Sequence, residues 1–400
     1  MERFLEQSQY TDLTNSSSFL TGDISEYEYL ADILRSMNLS QFGNESDHEL
    51  LYNLIKQIQQ KVDSEQDASV LIYNLLTFVP PLILAFGIVG NILSFIVLTK
   101  FSKRFPSYHY LYVLASLDMV VLLTGLLRLW VKQITGNDVA SESNFLCPLF
   151  TFLGFFSSVA SVWIVLAISI DRAIAIKYPL KRYKEDVNKR TKLIILIILI
   201  GSGLVNIHFL FTMGLQPNKS HDLTSSCDPH LMYLNFYRTV WAWIDAIIYS
   251  WIPFCVIGIT NIFTIIGLFI ARKTRKSLNS KEVKVSHREH YMTIMVLTIS
   301  ISVLIMLVPV NTIMIMLIFW KNTVGSNQEL YSMQVAKTIG ELLMYTSHSV
   351  NFVLYYWAGS QFRHQFGKVF FPKKKEKRVH RMSTFEPTCS KSILSIDDDL

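Results

Sequence analysis

Seven stretches of this chain stay apolar for longer than a globular core requires, at roughly 70–99, 108–131, 145–176, 191–214, 240–271, 291–320 and 332–357. A bilayer core of about 30 Å takes about 20 apolar residues in a helix, which satisfies its own backbone hydrogen bonds. Each stretch predicts a membrane-spanning helix, so the fold class is all-α, a bundle of seven transmembrane helices. The stretch 191–214 has no charge after Lys192, whereas 332–357 contains Lys337, Glu341 and Asn351. Polar residues at membrane depth face a bundle interior, so the seventh span is read as lining a cavity.

Composition agrees. Only 17% of the 400 residues are charged and 50% are hydrophobic, against about a quarter charged in soluble chains. That excludes an ordinary soluble enzyme. Residues 1–68 hold 13 Asp and Glu against 4 Lys and Arg, while the remainder holds 18 against 33. The positive charge gathers after the odd-numbered spans: Lys100, Lys103 and Arg104; Lys177 to Lys192; Arg272 to Arg288; and Arg363 onward. Lysine and arginine mark cytoplasmic loops, so the N-terminus is expected outside and the C-terminus inside. The asymmetry reflects topology rather than nucleic acid, and no nucleic-acid partner is expected. Four N-glycosylation sequons begin at Asn15, Asn38, Asn44 and Asn218, all on the expected outer face. No apolar signal-peptide core follows Met1. Leu51, Leu54, Ile55, Ile58 and Val62 make an apolar stripe at helical spacing, which suits either a short amphipathic helix or a flexible glycosylated tail.

Cys147 opens the third span at its outer end, and Cys227 is the other cysteine expected outside. An oxidising exterior predicts their disulfide, fastening loop 215–239 over the bundle mouth. Cys255 reads as a small buried residue. No CxxC pair, HExxH, G-x-S-x-G or P-loop is present, so no zinc site or enzyme is expected.

At the far end of the third span stands Ser169-Ile170-Asp171-Arg172-Ala173, followed by Tyr178-Pro179-Leu180. Gly90-Asn91, Leu114-Ala115-Ser116-Leu117-Asp118, Pro253, Pro309, Asn351-Phe352-Val353-Leu354-Tyr355 and Phe362-Arg363 recur in order at matching depths. Over roughly residues 70–371 the chain resembles the rhodopsin-like (class A) G-protein-coupled receptors, most of all invertebrate neuropeptide receptors. It departs from their pattern at Ala173 (tyrosine in the family), Leu307 (tryptophan) and Phe352 (proline).

The resemblance implies a plasma-membrane receptor. Residues 1–68 would be an extracellular glycosylated tail, 69–358 the bundle, 359–371 a short cytoplasmic helix 8, and 372–400 a disordered cytoplasmic tail. It implies a switch made of Asp171, Arg172, Asn351 and Tyr355. Glu289, 20 residues before Pro309, is either Arg172's partner in a closed state or a solvated glutamate. It implies a polar core of Asn91, Asp118, Ser161, Ser347 and Asn351, which holds an allosteric sodium ion on Asp118 or leaves that carboxyl protonated and hydrogen-bonded. No other cofactor is expected.

Lys337 lies too near the outer end for a retinal Schiff base, and Gly154 stands where amine receptors carry an aspartate. Candidate ligand contacts are Arg128, Trp130, Asp245, Tyr249, Asn311, Glu341 and Tyr345, a mixture of charges and aromatics that suits a peptide. Arg128 and Glu341 equally suit an internal ion pair. The expected partners are an extracellular peptide, a heterotrimeric G protein, membrane lipids against Lys373 to Arg381, and an arrestin-like protein on hydroxyls such as Ser383 and Ser395 once phosphorylated. The alternatives are a transporter or channel, for which no paired halves are visible, and a receptor of the same class for a lipid or other small molecule.

Overall fold

The computed structural model describes residues 45–102, 106–177, 187–217, 225–274, 280–320 and 327–371. They form eight helices and one hairpin. The helices are α1 (Glu45–Phe101), α2 (Tyr108–Thr135), α3 (Leu146–Lys177), α4 (Val187–Asn206), α5 (from Leu231, its last stretch Ile252–Thr274), α6 (Ser280–Trp320), α7 (Asn327–Ser349, resuming as Asn351–Ala358) and α8 (Ser360–Phe370). Strands β1 (Met213–Pro217) and β2 (Ser225–Pro229) pair antiparallel between α4 and α5. Among the described residues six helices are long and apolar enough to cross a membrane, and α7 is not one of them. Its polar side chains are the reason, as its sequence leads one to expect.

One expected boundary moves. The division at 68/69 falls inside α1, a single helix of 57 residues and about 85 Å at 1.5 Å per residue. No glycine or proline separates Val62 from Leu71, so nothing interrupts the helix where the apolar span begins at Gln66. Of the two readings of the 51–62 stripe, the helix is the one observed. The fourth span runs to Thr212, within two residues of expectation, but its regular helix α4 stops at Asn206, whose amide turns back onto the Ser202 carbonyl at 2.8 Å. Phe209–Thr212 adds one turn, and Met213 already belongs to β1.

The core explains why the helices assemble. α3 packs against α2, α4, α5 and α6. One cluster joins Leu98 of α1, Leu111 and Leu114 of α2, Ile164 and Ile168 of α3, Ile195 of α4, Ile257 of α5, Met295 and Ile299 of α6, Tyr355 of α7 and Phe362 of α8. Small residues let the outer helices approach. A Cβ on Gly90 would lie 2.9 Å from Cβ of Phe352, and one on Gly125 would lie 2.6 Å from the Tyr345 hydroxyl oxygen. The outward faces of α4 (Leu193, Leu196, Ile197, Ile200) and α5 (Ile262, Phe263, Ile266, Phe269) are apolar and exposed. Such continuous faces are what lipid covers.

α2 and α5 are not uniform. α2 widens to a π turn at Leu122–Leu126, and α5 does so at Tyr237–Trp241 and Ala246–Trp251. The second α5 turn lies just ahead of Pro253, which has no N–H to close a regular turn.

Candidate functional site

The bundle holds three polar centres. The deepest is built on Asp118, fully buried on α2. Ser161 of α3 donates its hydroxyl to Asp118 Oδ1 at 3.0 Å. His348 of α7 donates Nδ1–H to the same oxygen at 2.7 Å, and Asn351 donates its amide to Oδ2 at 2.7 Å. Asn91 of α1 reaches the carbonyl of His348 at 2.9 Å. Helical spacing sets this up, since His348 and Asn351 are three residues apart and share one face of α7.

α7 supplies these groups where it is least regular. Thr346, Ser347 and Ser349 turn their hydroxyls back to the carbonyls of Leu342, Met344 and Tyr345. Back-bonding of this kind competes with the helix's own ladder and bends it. The helix is interrupted at Val350, with no proline involved. Phe352, in the place of the family's proline, packs its ring 6.0 Å from Phe362 and 5.8 Å from Phe366 of α8.

A sodium ion on Asp118, as the resemblance implied, would compete with the donors of Ser161, His348 and Asn351. Both carboxylate oxygens already take donors, and a ring N–H that sequence reading passed over occupies one of them. Ser347, an expected ligand, lines the adjoining cavity with its hydroxyl donated to Met344 at 2.7 Å.

The second centre closes one end of α3. Arg172 is 1% exposed. Its guanidinium donates to Asp171 at 2.7 Å and to the Ser107 hydroxyl at 2.6 Å, and Arg190 of α4 donates to the other Asp171 oxygen at 3.0 Å. Asp171, Arg172 and Tyr355 are all buried, and the Tyr355 hydroxyl has no hydrogen-bond partner among the described residues. Glu289 lies on α6, but its side chain is outside what is described. Asp171 and Ser107 are thus among the partners of Arg172, and Ser107, just before α2, was not anticipated.

The third centre is at the Cys147 end. Cys147 and Cys227 are disulfide-bonded with Cα atoms 5.4 Å apart. The hairpin carrying Cys227 is held twice more: Cys227 N–H donates to Ser141 at 3.1 Å, and Leu215 N–H to Asn144 at 3.0 Å. Cys255 proves exposed rather than buried, on the lipid-facing part of α5.

The candidate ligand residues divide here. Arg128 donates twice to Asp138, both at 2.7 Å, and Glu341 lies 3.7 Å from Lys337 one turn away. The Arg128–Glu341 pair is thereby replaced by two separate pairs. Trp130 donates its indole N–H to the Thr77 carbonyl at 3.1 Å, tying α2 to α1, and packs on the cluster of Leu84, Leu122, Leu126 and Leu342. Tyr249 is buried against Val159, Val162 and Leu307, with its hydroxyl unpartnered. Leu307 thus fills the family's tryptophan position as packing. Asp245, one turn before Tyr249, has no ion-pair or hydrogen-bond partner among the described residues. Tyr345 rests on Gly125. The side chain of Asn311, and Asn15, Asn38, Asn44, Asn218 and the tail from 372, lie outside the described residues.

The family model for the 7 transmembrane receptor (rhodopsin family) matches residues 90–355, from Gly90 of α1 to Tyr355 of α7. The chain belongs to this family. It is a multi-pass protein of the plasma membrane and a receptor rather than an enzyme. The receptor is similar to a probable G-protein coupled receptor of Caenorhabditis elegans, 27% identical over 215 residues, which are 51% of this chain and 49% of the relative. It is similar to the FMRFamide receptor of Drosophila melanogaster, 24% identical over 305 residues, 72% of this chain and 52% of the relative. The human growth hormone secretagogue receptor type 1 is 24% identical over 324 residues, 78% of this chain and 81% of the relative. The receptor spans about half the length of the first two.

Proposed function

We propose that this receptor binds an extracellular peptide at the Cys147 end and activates a heterotrimeric G protein at the Arg172 end through rearrangement of α3, α5 and α6. The N-terminus would then face outside and the C-terminus the cytoplasm, in keeping with the Lys and Arg distribution. The observation that carries the reading is the buried Arg172 guanidinium. A charge taken out of water, with the Asp171 carboxylate and the Ser107 hydroxyl among the groups that hold it, is costly to leave unpaired, so it makes a two-state element that a ligand can bias. At the other end Asp245 is an unneutralised carboxylate beside a buried tyrosine, which suits a cationic group on the ligand. The peptide named in the fly relative supports the class of agonist. The hydroxyls of the tail, once phosphorylated, would recruit an arrestin-like partner.

The test is guanine-nucleotide exchange on purified G proteins by the receptor in lipid nanodiscs, with FMRFamide and a library of amidated peptides as probes. Saturable, peptide-dependent exchange is expected. A folded receptor that drives no exchange with any peptide but does so with lipids would move the agonist to the lipid class. Solute flux without exchange would favour a transporter.

A further inference from the structure

The cavity beside Asp118 lies where the resemblance would put an ion. It is lined by Asp118, Ser161, Ser347, His348 and Asn351 on its polar side, with Leu307 among its apolar walls. Its volume is ≈ 10 Å³ for the centre of a water-sized particle, about what a single water needs.

We propose that this polar core works without sodium: the ring N–H of His348 supplies the positive pole that holds Asp118, and the cavity takes a neutral water. Three observations lead there. First, Asp118 Oδ1 accepts from His348 Nδ1 at 2.7 Å and from Ser161 at 3.0 Å, and Oδ2 accepts from Asn351 at 2.7 Å. A cation approaching either oxygen meets the positive end of an N–H or O–H dipole already there. Second, His348 is itself 3% exposed and anchored from behind, because Asn91 donates to its backbone carbonyl. Burial leaves the ring no water to turn to, and the bond from α1 fixes the stretch of backbone that carries it. Third, two acceptors among the cavity's residues are buried without a partner, Asn351 Oδ1 and His348 Nε2. Two acceptors call for a molecule that donates twice. Water does so, and it needs no vacated oxygen on Asp118. The two asparagine oxygens, Asn351 Oδ1 and Asn91 Oδ1, would not exclude a cation by themselves. The ring on Asp118 does.

The experiment is a melting-temperature titration of the purified receptor, free of ligand, in sodium chloride against choline chloride at equal ionic strength. The wild-type curves are expected to coincide. His348→Ser, which removes the ring and leaves a small oxygen, is expected to gain a saturable sodium-dependent rise of about 2–4 °C. That rise should vanish in the His348→Ser, Asp118→Asn double variant. His348→Asn, which keeps a side-chain N–H, should stay indifferent like the wild type. A saturable sodium effect on the wild type that Asp118→Asn abolishes would overturn the proposal. So would a folded His348→Ser that ignores sodium, since the ring would then not be what excludes the ion. Should His348→Ser not fold, the wild-type titration decides alone. None of these readouts involves a peptide or a G protein, so the proposed function stands or falls separately.

Discussion

Arg128 and Asp138 are joined by two parallel hydrogen bonds of 2.7 Å, Nε to Oδ1 and Nη2 to Oδ2. Asp138 also accepts from the Ala140 N–H at 3.0 Å, which caps the short turn Val139–Glu142. One carboxylate thus fixes both the end of α2 and the start of the loop leading to Cys147. A planar fork on a carboxylate is the strongest form of this interaction.

Removing it should be felt as stability. Asp138→Ala is expected to cost about 1.5–3 kcal/mol, the range for hydrogen bonds to charged groups, and Arg128→Met no less, because it strands the more buried carboxylate. Burial pushes the Asp138 carboxyl up, but the bonds and charge of Arg128, with Ala140 N–H and Lys132, outweigh it and hold the carboxyl below its ordinary value of 3.8. Since the folded value is the lower one, this stabilisation is complete above the ordinary value and is lost as pH falls through the folded value. Melting curves at acid pH should therefore fall more steeply for the wild type than for Asp138→Asn. Equal slopes would mean that the pair contributes nothing.

The Cys147–Cys227 bond closes 80 residues of chain. Breaking it with Cys227→Ser should cost about 2–5 kcal/mol and free the hairpin, so surface expression and any peptide response should drop together. Receptor that reaches the surface in normal amounts with an unchanged response would show that Ser141 and Asn144 hold the hairpin unaided.

Arg172 gives a contrast between two variants. Ser107→Ala removes a hydroxyl seen 2.6 Å from the guanidinium, whereas Glu289→Ala removes the α6 carboxylate expected from sequence. If the closed state is held from the α2 side, basal nucleotide exchange should rise about 5–10-fold in Ser107→Ala, equivalent to about 1–1.4 kcal/mol. Glu289→Ala should then change it less. The opposite order at equal expression would return the lock to α6.

These cases show what could be read in the chain. The spans were legible from apolar length, the disulfide from which cysteines the topology puts outside, and the Asp118–Ser161–Asn351 core from the family resemblance. The partners of Arg128 and Arg172 were not. Asp138 and Ser107 lie outside the helix interiors, where loop geometry rather than period decides what touches. His348 was legible in principle. It is three residues before Asn351, on the face already assigned to the core, and a histidine there asks for an acceptor. Phe352 was visible as a departure from the proline pattern, but only the aromatic stack with Phe362 and Phe366 shows what it does instead.

That stack is testable. Phe352→Ala should lose part of the contact with α8 and cost about 1–3 kcal/mol, less than a fully buried phenylalanine. Faster hydrogen exchange across Ser360–Phe370 with α1–α6 unchanged would locate the effect. Uniform loosening of the bundle would instead assign Phe352 to the general core.

Asp245 bears on the ligand. It sits on α5 one turn before the buried Tyr249, while Arg128 and Lys337 are already near Asp138 and Glu341. A carboxylate at this depth without a protein partner among the described residues either takes a cation from the ligand or is kept neutral. With a peptide agonist that carries one arginine, replacing that arginine by neutral citrulline separates the two cases. If the anchor is Asp245, citrulline should weaken the wild-type response about 10–100-fold, as expected for a buried charge pair worth about 1.4–3 kcal/mol. Asp245→Asn should weaken the arginine peptide by a similar factor and leave the citrulline peptide nearly unchanged. The double substitution then costs little more than either alone, and that non-additivity assigns the contact. Additive losses would place the arginine elsewhere and leave Asp245 as a group serving the bundle.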